Sequence, residues 1–280
     1  MSSLRWCVMI DHAIKTRSFL LFLGLAYGAL WGLFGLGTWL GIPFSMDPRT
    51  RGGLFFLIGA AAPSLSALGA VFVVEKSEGL RGLLKRALAW RFSPFWYLTA
   101  VAVPFAVNGL NALIAVVFRG AAFPSQWYAP AFGPGFLLFF LVYNGLGEEI
   151  GWRGLALPVL QQRLGSLGGS IAVGVLWALW HLPLFWMRGS YQYGDSILLF
   201  MLLLTCWSII IGMLVDKGGG SILPAILLHE GANFIAFSFR YPGSGYGCLV
   251  WILAAGLAAL WLPRPRWKWP WQATDSPAIR

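Results

Sequence analysis

The sequence predicts an all-α fold: a polytopic bundle of about eight transmembrane helices, with a polar cavity between spans four, five and seven. Three observations predict it. Of the 280 residues, 58% are hydrophobic and only 11% are charged, where a soluble domain carries about a quarter charged residues. The mean hydropathy is +0.72, which places the chain among integral membrane proteins. The apolar residues fall into runs of roughly the 20 residues that a helix needs to cross the hydrocarbon core. The 16 tryptophans suit the aromatic belts of a membrane interface.

The spans are read at 19–42, 53–75, 95–118, 134–158, 166–187, 196–215, 220–239 and 245–262. The first run is too long for the apolar region of a signal peptide and is followed by no small-residue cleavage site, so it is read as a retained span. Between spans two and three, "EKSEGLRGLLKRALAWRFSPFW" (Glu75 to Trp96) repeats leucine at helical spacing, at Leu80, Leu83, Leu84 and Leu88, among basic residues. This is expected to be a short amphipathic helix on the cytoplasmic leaflet. Charged residues interrupt spans four and seven, and Pro224 is expected to kink the seventh. No linker, repeat or low-complexity segment divides the chain, so residues 1–280 are read as a single membrane domain.

The loops carry the orientation signal. One side holds Arg5, Lys15, Arg17, Lys76, Arg81, Lys85, Arg86, Arg91, Arg163, Lys217, Arg264, Arg266, Lys268 and Arg280, fourteen in all. The other holds five: Arg49, Arg51, Arg119, Arg188 and Arg240. The bias puts both termini in the cytoplasm, which agrees with an even number of spans. It also accounts for the formal charge of +10 without nucleic acid, which is not expected as a partner. A composition rich in Gly, Ala, Trp and Arg fits a GC-rich bacterial source, and so a bacterial cytoplasmic membrane. The three cysteines, Cys7, Cys206 and Cys248, are far apart and form neither a disulfide framework nor a CxxC metal site.

Ionisable groups near the bilayer centre are costly and mark functional sites. Glu148, Glu149, Glu230, His181 and His229 fall inside spans. Glu149 and Arg153 are four apart and share a helical face, so the carboxylate is the natural partner of the guanidinium. Such a pair also serves simply to hold the bundle in shape. Glu148 points about 100° away from Glu149 and has no fixed cation, which suits a general acid or base or a proton relay. His181, in "WALWHLP", follows Trp177 by one turn. In "LLHEGANF", His229 and Asn233 share a face, as they also would if they only joined helices by a hydrogen bond. An HExxH zinc motif would need His where Asn233 stands, so the two-histidine grip of that motif is absent. Gathered around one water-filled cavity, Glu148 and a histidine could activate water while the other His and Asn233 stabilise an oxyanion. That is the chemistry of peptide-bond hydrolysis within a membrane.

The three motifs, "EEIGWR" (EExxxR), "WALWH" (an aromatic-xxx-His motif) and "HEGAN" (HxxxN), resemble in order and separation those of the CPBP family. That family comprises CAAX-type prenyl endopeptidases and bacteriocin-processing enzymes, also called Abi. The resemblance covers about residues 135–239. It implies an all-helical intramembrane endopeptidase with a cavity open toward the cytoplasm, acting on a membrane-associated or lipidated peptide or protein. Glu148 would be the catalytic carboxylate and His181 its partner on the attacking water. His229 and Asn233 would form the oxyanion side, and Glu149 and Arg153 would hold the site in shape. The family is often labelled metalloprotease, and Glu148, His181 and His229 are candidate ligands for a divalent metal such as zinc with one open position. Activation of water by Glu and His without a metal is the other course. Two features depart from the pattern: Trp177 stands where Phe is commoner and is expected to narrow the cavity, and Glu230 adds a carboxylate of open role.

Two other classes compete. A proton-coupled transporter would use Glu and His as a relay, although no internal repeat of the secondary-transporter kind is visible. A non-catalytic membrane scaffold would need no ordered set of Glu, His and Asn.

Overall fold

The computed structural model describes residues 2–47, 49–122, 141–238 and 247–262, and every regular element among them is helical. α1 (Ser2–Trp39), α2 (Arg51–Ala87) and α3 (Pro94–Arg119) come first. An unbroken helical run follows: π1 (Leu141–Gly145), α4 (Leu146–Glu149), π2 (Ile150–Ala156) and α5 (Leu157–Trp180). α6 (Ile197–Lys217), α7 (Leu223–Ser238) and α8 (Gly247–Trp261) complete the described bundle. The polytopic helical class expected from hydropathy is the one observed, and the chain is an integral membrane protein.

The span count is less regular than hydropathy implies. Five helical stretches among the described residues are long and apolar enough to cross a membrane: Ala13–Trp39, Arg51–Ala87, Pro94–Phe118, Tyr143–Trp180 and Ile197–Lys217. α7, with 16 residues, reaches about 24 Å at 1.5 Å per residue, short of a full hydrocarbon core of about 30 Å. Part of the expected fourth span, residues 134–140, lies outside the described residues. The fifth ends at Trp180 rather than at 187, because Pro183 has no N–H to continue the ladder and the chain tightens into a 3-10 turn at Leu182–Phe185. Between these two spans the chain turns at Gly165, at φ 75°. A Cβ on Gly169 would come within 2.5 Å of the Gln161 backbone nitrogen, so only glycine permits this close approach.

Pro224 does not kink α7. It stands in the first turn, where a missing N–H costs nothing. The amphipathic segment after span two is helical as expected, but it continues from α2 through a break at Lys76, at φ 61°. Leu83 is buried and Leu80 packs against the core, while Leu84 and Leu88 stay exposed.

Contacts along α1 order the molecule from one end to the other. Arg163 donates to Thr16 near the end that carries the basic loops. Higher up, Phe22 meets the Trp152 ring edge-on at 5.3 Å, and Tyr27 donates to the Leu176 carbonyl at 2.5 Å. At the far end Phe34 meets Phe44 at 6.5 Å. The basic end is tied together by the Ile222 N–H to the Arg86 carbonyl at 3.3 Å and by Ser221 Oγ to the Ala89 carbonyl at 2.5 Å. The opposite end holds the α1–α2 loop and the loop before α6, with Tyr191 edge-on to Phe237 at 4.4 Å.

Candidate active site

α4 and π2 present both carboxylates of the EExxxR motif to the interior. Glu148 is 3% exposed and Glu149 and Arg153 are fully buried. The helix comes close to α2 because Gly147 and Gly151 have no side chains: an added Cβ would lie 2.8 Å from the Ala60 carbonyl oxygen at the first and 2.6 Å from that of Pro63 at the second. Small residues spaced four apart let membrane helices touch backbone to backbone. Ser64 Oγ closes this contact by donating to the Leu146 carbonyl at 2.6 Å.

The two neighbouring glutamates face different partners. Glu149 Oε1 accepts from Arg153 NH1 and from His229 Nδ1, each at 2.8 Å. The ion pair read from the four-residue spacing is therefore present, and a histidine from α7 joins it. Glu148 Oε2 accepts instead from the Trp177 indole N–H at 2.6 Å. The face of the same indole carries the Arg153 guanidinium, at 4.2 Å from the ring centre. Trp177 thus orients one carboxylate and supports the cation of the other. Its role was hidden in the sequence, where it reads as a bulky replacement for Phe.

His181 caps α5, and its Nδ1 lies 2.8 Å from the Trp177 carbonyl. A carbonyl only accepts, so Nδ1 carries the hydrogen and Nε2 is left as the ring's acceptor. Glu148, His181, His229 and Asn233 all line one cavity of about 130 Å³, room for several waters. Its remaining wall is largely apolar and aromatic, including Leu30 and Phe34 of α1, Phe56 of α2 and Trp207 of α6. The structure therefore brings together residues from three separate motifs. Asn144, one turn before Glu148, also lines the cavity, and nothing in the motifs marks it.

Glu230 stands outside this cavity lining. It is 2% exposed and lies against Gly145, where an added Cβ would come 3.1 Å from its Cγ. Neither carboxylate oxygen has a hydrogen-bond partner of good geometry among the described residues, although His229, Glu148 and Glu149 are near enough to act on it electrostatically and the Asn233 amide is close by.

Glu148, His181 and His229, the candidate metal ligands, line one cavity. No group of three or more His, Cys, Asp or Glu side chains has metal-binding geometry among the described residues. One atom of each side chain is engaged, Glu148 Oε2 with an indole, His181 Nδ1 with a carbonyl and His229 Nδ1 with Glu149, and these bonds leave Glu148 Oε1 and Nε2 of both rings for the cavity chemistry.

Fold and site together define an all-helical integral membrane protein with Glu, His and Asn side chains lining one cavity. Residues 129–235 match the family model for the Type II CAAX prenyl endopeptidase Rce1-like family, in line with the resemblance carried by the three motifs. A curated relative, "CAAX prenyl protease 2" of the archaeon Methanococcus maripaludis, is 36% identical over 135 residues, covering 44% of this chain and 49% of that protein. The similarity thus spans about half the length of that relative.

Proposed function

We propose that this protein is an intramembrane endopeptidase that hydrolyses a peptide bond in a membrane-associated peptide or protein. The observation that carries this reading is the convergence of Glu148, His181, His229 and Asn233 on one cavity, within a segment that matches a prenyl endopeptidase family. A lipidated peptide is the substrate class that the name of the relative suggests. The chain acts as one membrane domain in the lipid bilayer, and its basic loops and termini belong in the cytoplasm.

Glu148 and His181 hold a water between them, and Glu148 takes its proton as the oxygen attacks the scissile carbonyl carbon. The negative charge that develops on the carbonyl oxygen is met by the Asn233 amide and the His229 ring. Donors fixed in a dry site stabilise such charge without having to reorganise. The proton then passes to the departing amine as the C–N bond breaks, so the water ends up divided between the two products. Glu149 takes no part in the proton transfer. It fixes His229 through Nδ1 and neutralises Arg153.

The test compares the termini of membrane peptides in cells lacking the protein, complemented with wild type or with Glu148→Gln. New termini that appear only with wild type are expected. Identical termini with equal amounts of both proteins in the membrane would overturn the reading and return attention to a scaffold or a transporter.

A further inference from the structure

A second cavity, of about 470 Å³, lies at the basic end of the bundle and shares no lining residue with the cavity that holds Glu148. It is bounded by α1, by α2 and the helix that continues it past Lys76, by π2 and the start of α5, and by the turn between α6 and α7. None of its lining residues belongs to the three motifs. The hydrolysis proposed above makes no use of it.

Its depth is readable along α2. From Arg51 to Lys76 the helix advances about 38 Å at 1.5 Å per residue, more than a hydrocarbon core of about 30 Å. The helix breaks there, at Lys76 with φ 61°. The amphipathic helix beyond buries Leu83 and leaves Leu84 and Leu88 exposed. Lys15, near the start of the first span, bounds the same cavity. So does the Gly219–Gly220 turn, just past Lys217 at the end of α6. Three segments thus leave the apolar layer around the cavity, which puts it at the level of lipid headgroups.

Charge and shape select the occupant. Lys15, Lys85 and Arg86 line the cavity against one acid, Glu75, whose Oε1 already accepts from Ser18 Oγ at 2.6 Å. Asp216 is near enough to act on Arg86 but does not line the cavity. Other walls are apolar: Val71, one turn deeper than Glu75 on α2, with Leu83, Leu155 and Val159. A Cβ added to Gly82 or Gly219 would meet nothing within 4 Å, so both glycines face open space. The volume falls in the range of small-molecule pockets, about 300–1,000 Å³, and exceeds what a phosphate group alone would fill.

We propose that this cavity binds the phosphodiester headgroup of an anionic glycerophospholipid, with the phosphate against Lys15, Lys85 and Arg86 and the start of the acyl chains along Val71 and Leu155. Basic pockets between membrane helices take anionic headgroups in this way. Arg86 also donates to the carbonyls of Arg153 at 3.0 Å and Gly154 at 2.5 Å. One guanidinium therefore joins the headgroup to π2. The occupant is a structural lipid taken from the bilayer, not the peptide substrate, and the site stands whether or not the chain is a peptidase.

The test uses the full chain in a neutral detergent, titrated with dioleoylphosphatidylglycerol and read by native mass spectrometry and by thermal midpoint. Dioleoylphosphatidylcholine and inorganic phosphate are titrated in parallel. The wild type is expected to retain phosphatidylglycerol, with a rise in the midpoint because the lipid binds only the folded state. Lys15→Gln/Lys85→Gln should weaken that binding roughly 30-fold, the value of two lysines near an anionic headgroup. Arg81→Gln/Arg91→Gln removes equal charge from exposed positions outside the cavity and should bind as the wild type does. Gly82→Leu fills the cavity without touching a charge and should also lose the lipid, while its midpoint without lipid reports that it is folded. Equal binding of phosphatidylcholine, or equal loss in Arg81→Gln/Arg91→Gln, would mean general attraction to the surface and overturns the site. A midpoint rise with inorganic phosphate as large as with the lipid assigns the cavity to a soluble anion and overturns the lipid. Undiminished binding in Lys15→Gln/Lys85→Gln and in Gly82→Leu overturns both.

Discussion

The Trp177 indole donates to Glu148 Oε2 at 2.6 Å while its ring face supports Arg153. Trp177→Phe keeps an aromatic ring for the cation but removes the donor. A hydrogen bond to a charged acceptor contributes about 1.5–3 kcal/mol, so kcat should fall roughly 10- to 100-fold with the thermal midpoint nearly unchanged. Unchanged kcat would show that the indole N–H does not position Glu148. The adjacent glutamates should separate in the opposite sense. Glu149→Gln leaves Arg153 buried without its carboxylate, and breaking a buried pair in this way costs about 3–5 kcal/mol. Glu148→Gln removes no cation's partner and should leave the fold intact while abolishing hydrolysis. Thermal unfolding in detergent micelles distinguishes the two: a large drop for Glu149→Gln and little change for Glu148→Gln is the expected pattern, and equal drops would contradict it. The sequence made part of this legible, because two adjacent acids with only one at ion-pair spacing to Arg153 already have unequal roles. The His229 bond to Glu149 was not legible, since it joins residues 80 positions apart through the approach of α7 to α4.

At the scale of helices, Glu148 and Glu149 sit where the run from Leu141 to Trp180 departs from α geometry. π1 and π2 flank the four residues of α4. A π turn spaces carbonyls differently from the α ladder, and such turns gather at functional sites. The Arg86 guanidinium, from the helix that continues α2, donates to the carbonyls of Arg153, Gly154 and Gly220. It therefore ties π2 to the start of α7, which carries His229. Arg86→Met should lower stability by about 3 kcal/mol, the value of one or two charged hydrogen bonds net of relaxation, and should lower kcat as Glu149 and His229 lose register. Arg86→Lys retains the charge but not the forked donor, and should recover only part of both. Wild-type stability in Arg86→Met would mean that π2 holds its shape unaided. Hydropathy could mark these helices as apolar but not the π turns, because one added residue per turn leaves the apolar pattern nearly unchanged.

For the whole molecule, the helical membrane class was readable from composition because few folds other than a bundle can bury so little charge among so many apolar residues. The shared cavity of Glu148, His181, His229 and Asn233 was foreseeable because each residue is expensive alone in a membrane and affordable only in common. How far along the bundle each motif stands was not legible, since that depends on how the helices pack. Nor did the motifs show how much of the site lies outside them. The matching segment, residues 129–235, omits α1 and α2, yet Leu30, Phe34, Phe56 and Ala60 line the cavity that holds Glu148 and the α2 backbone touches Gly147 and Gly151. A fragment starting at residue 123 would leave one wall open to lipid and the two glycines unpaired. It should accumulate poorly in membranes and produce no peptide termini above the level of Glu148→Gln. Residues 1–122 supplied as a separate chain should restore both, because the close fit of α2 against α4 uses no covalent link. Activity from the shorter fragment alone would show that the N-terminal helices only anchor the protein and do not build its site.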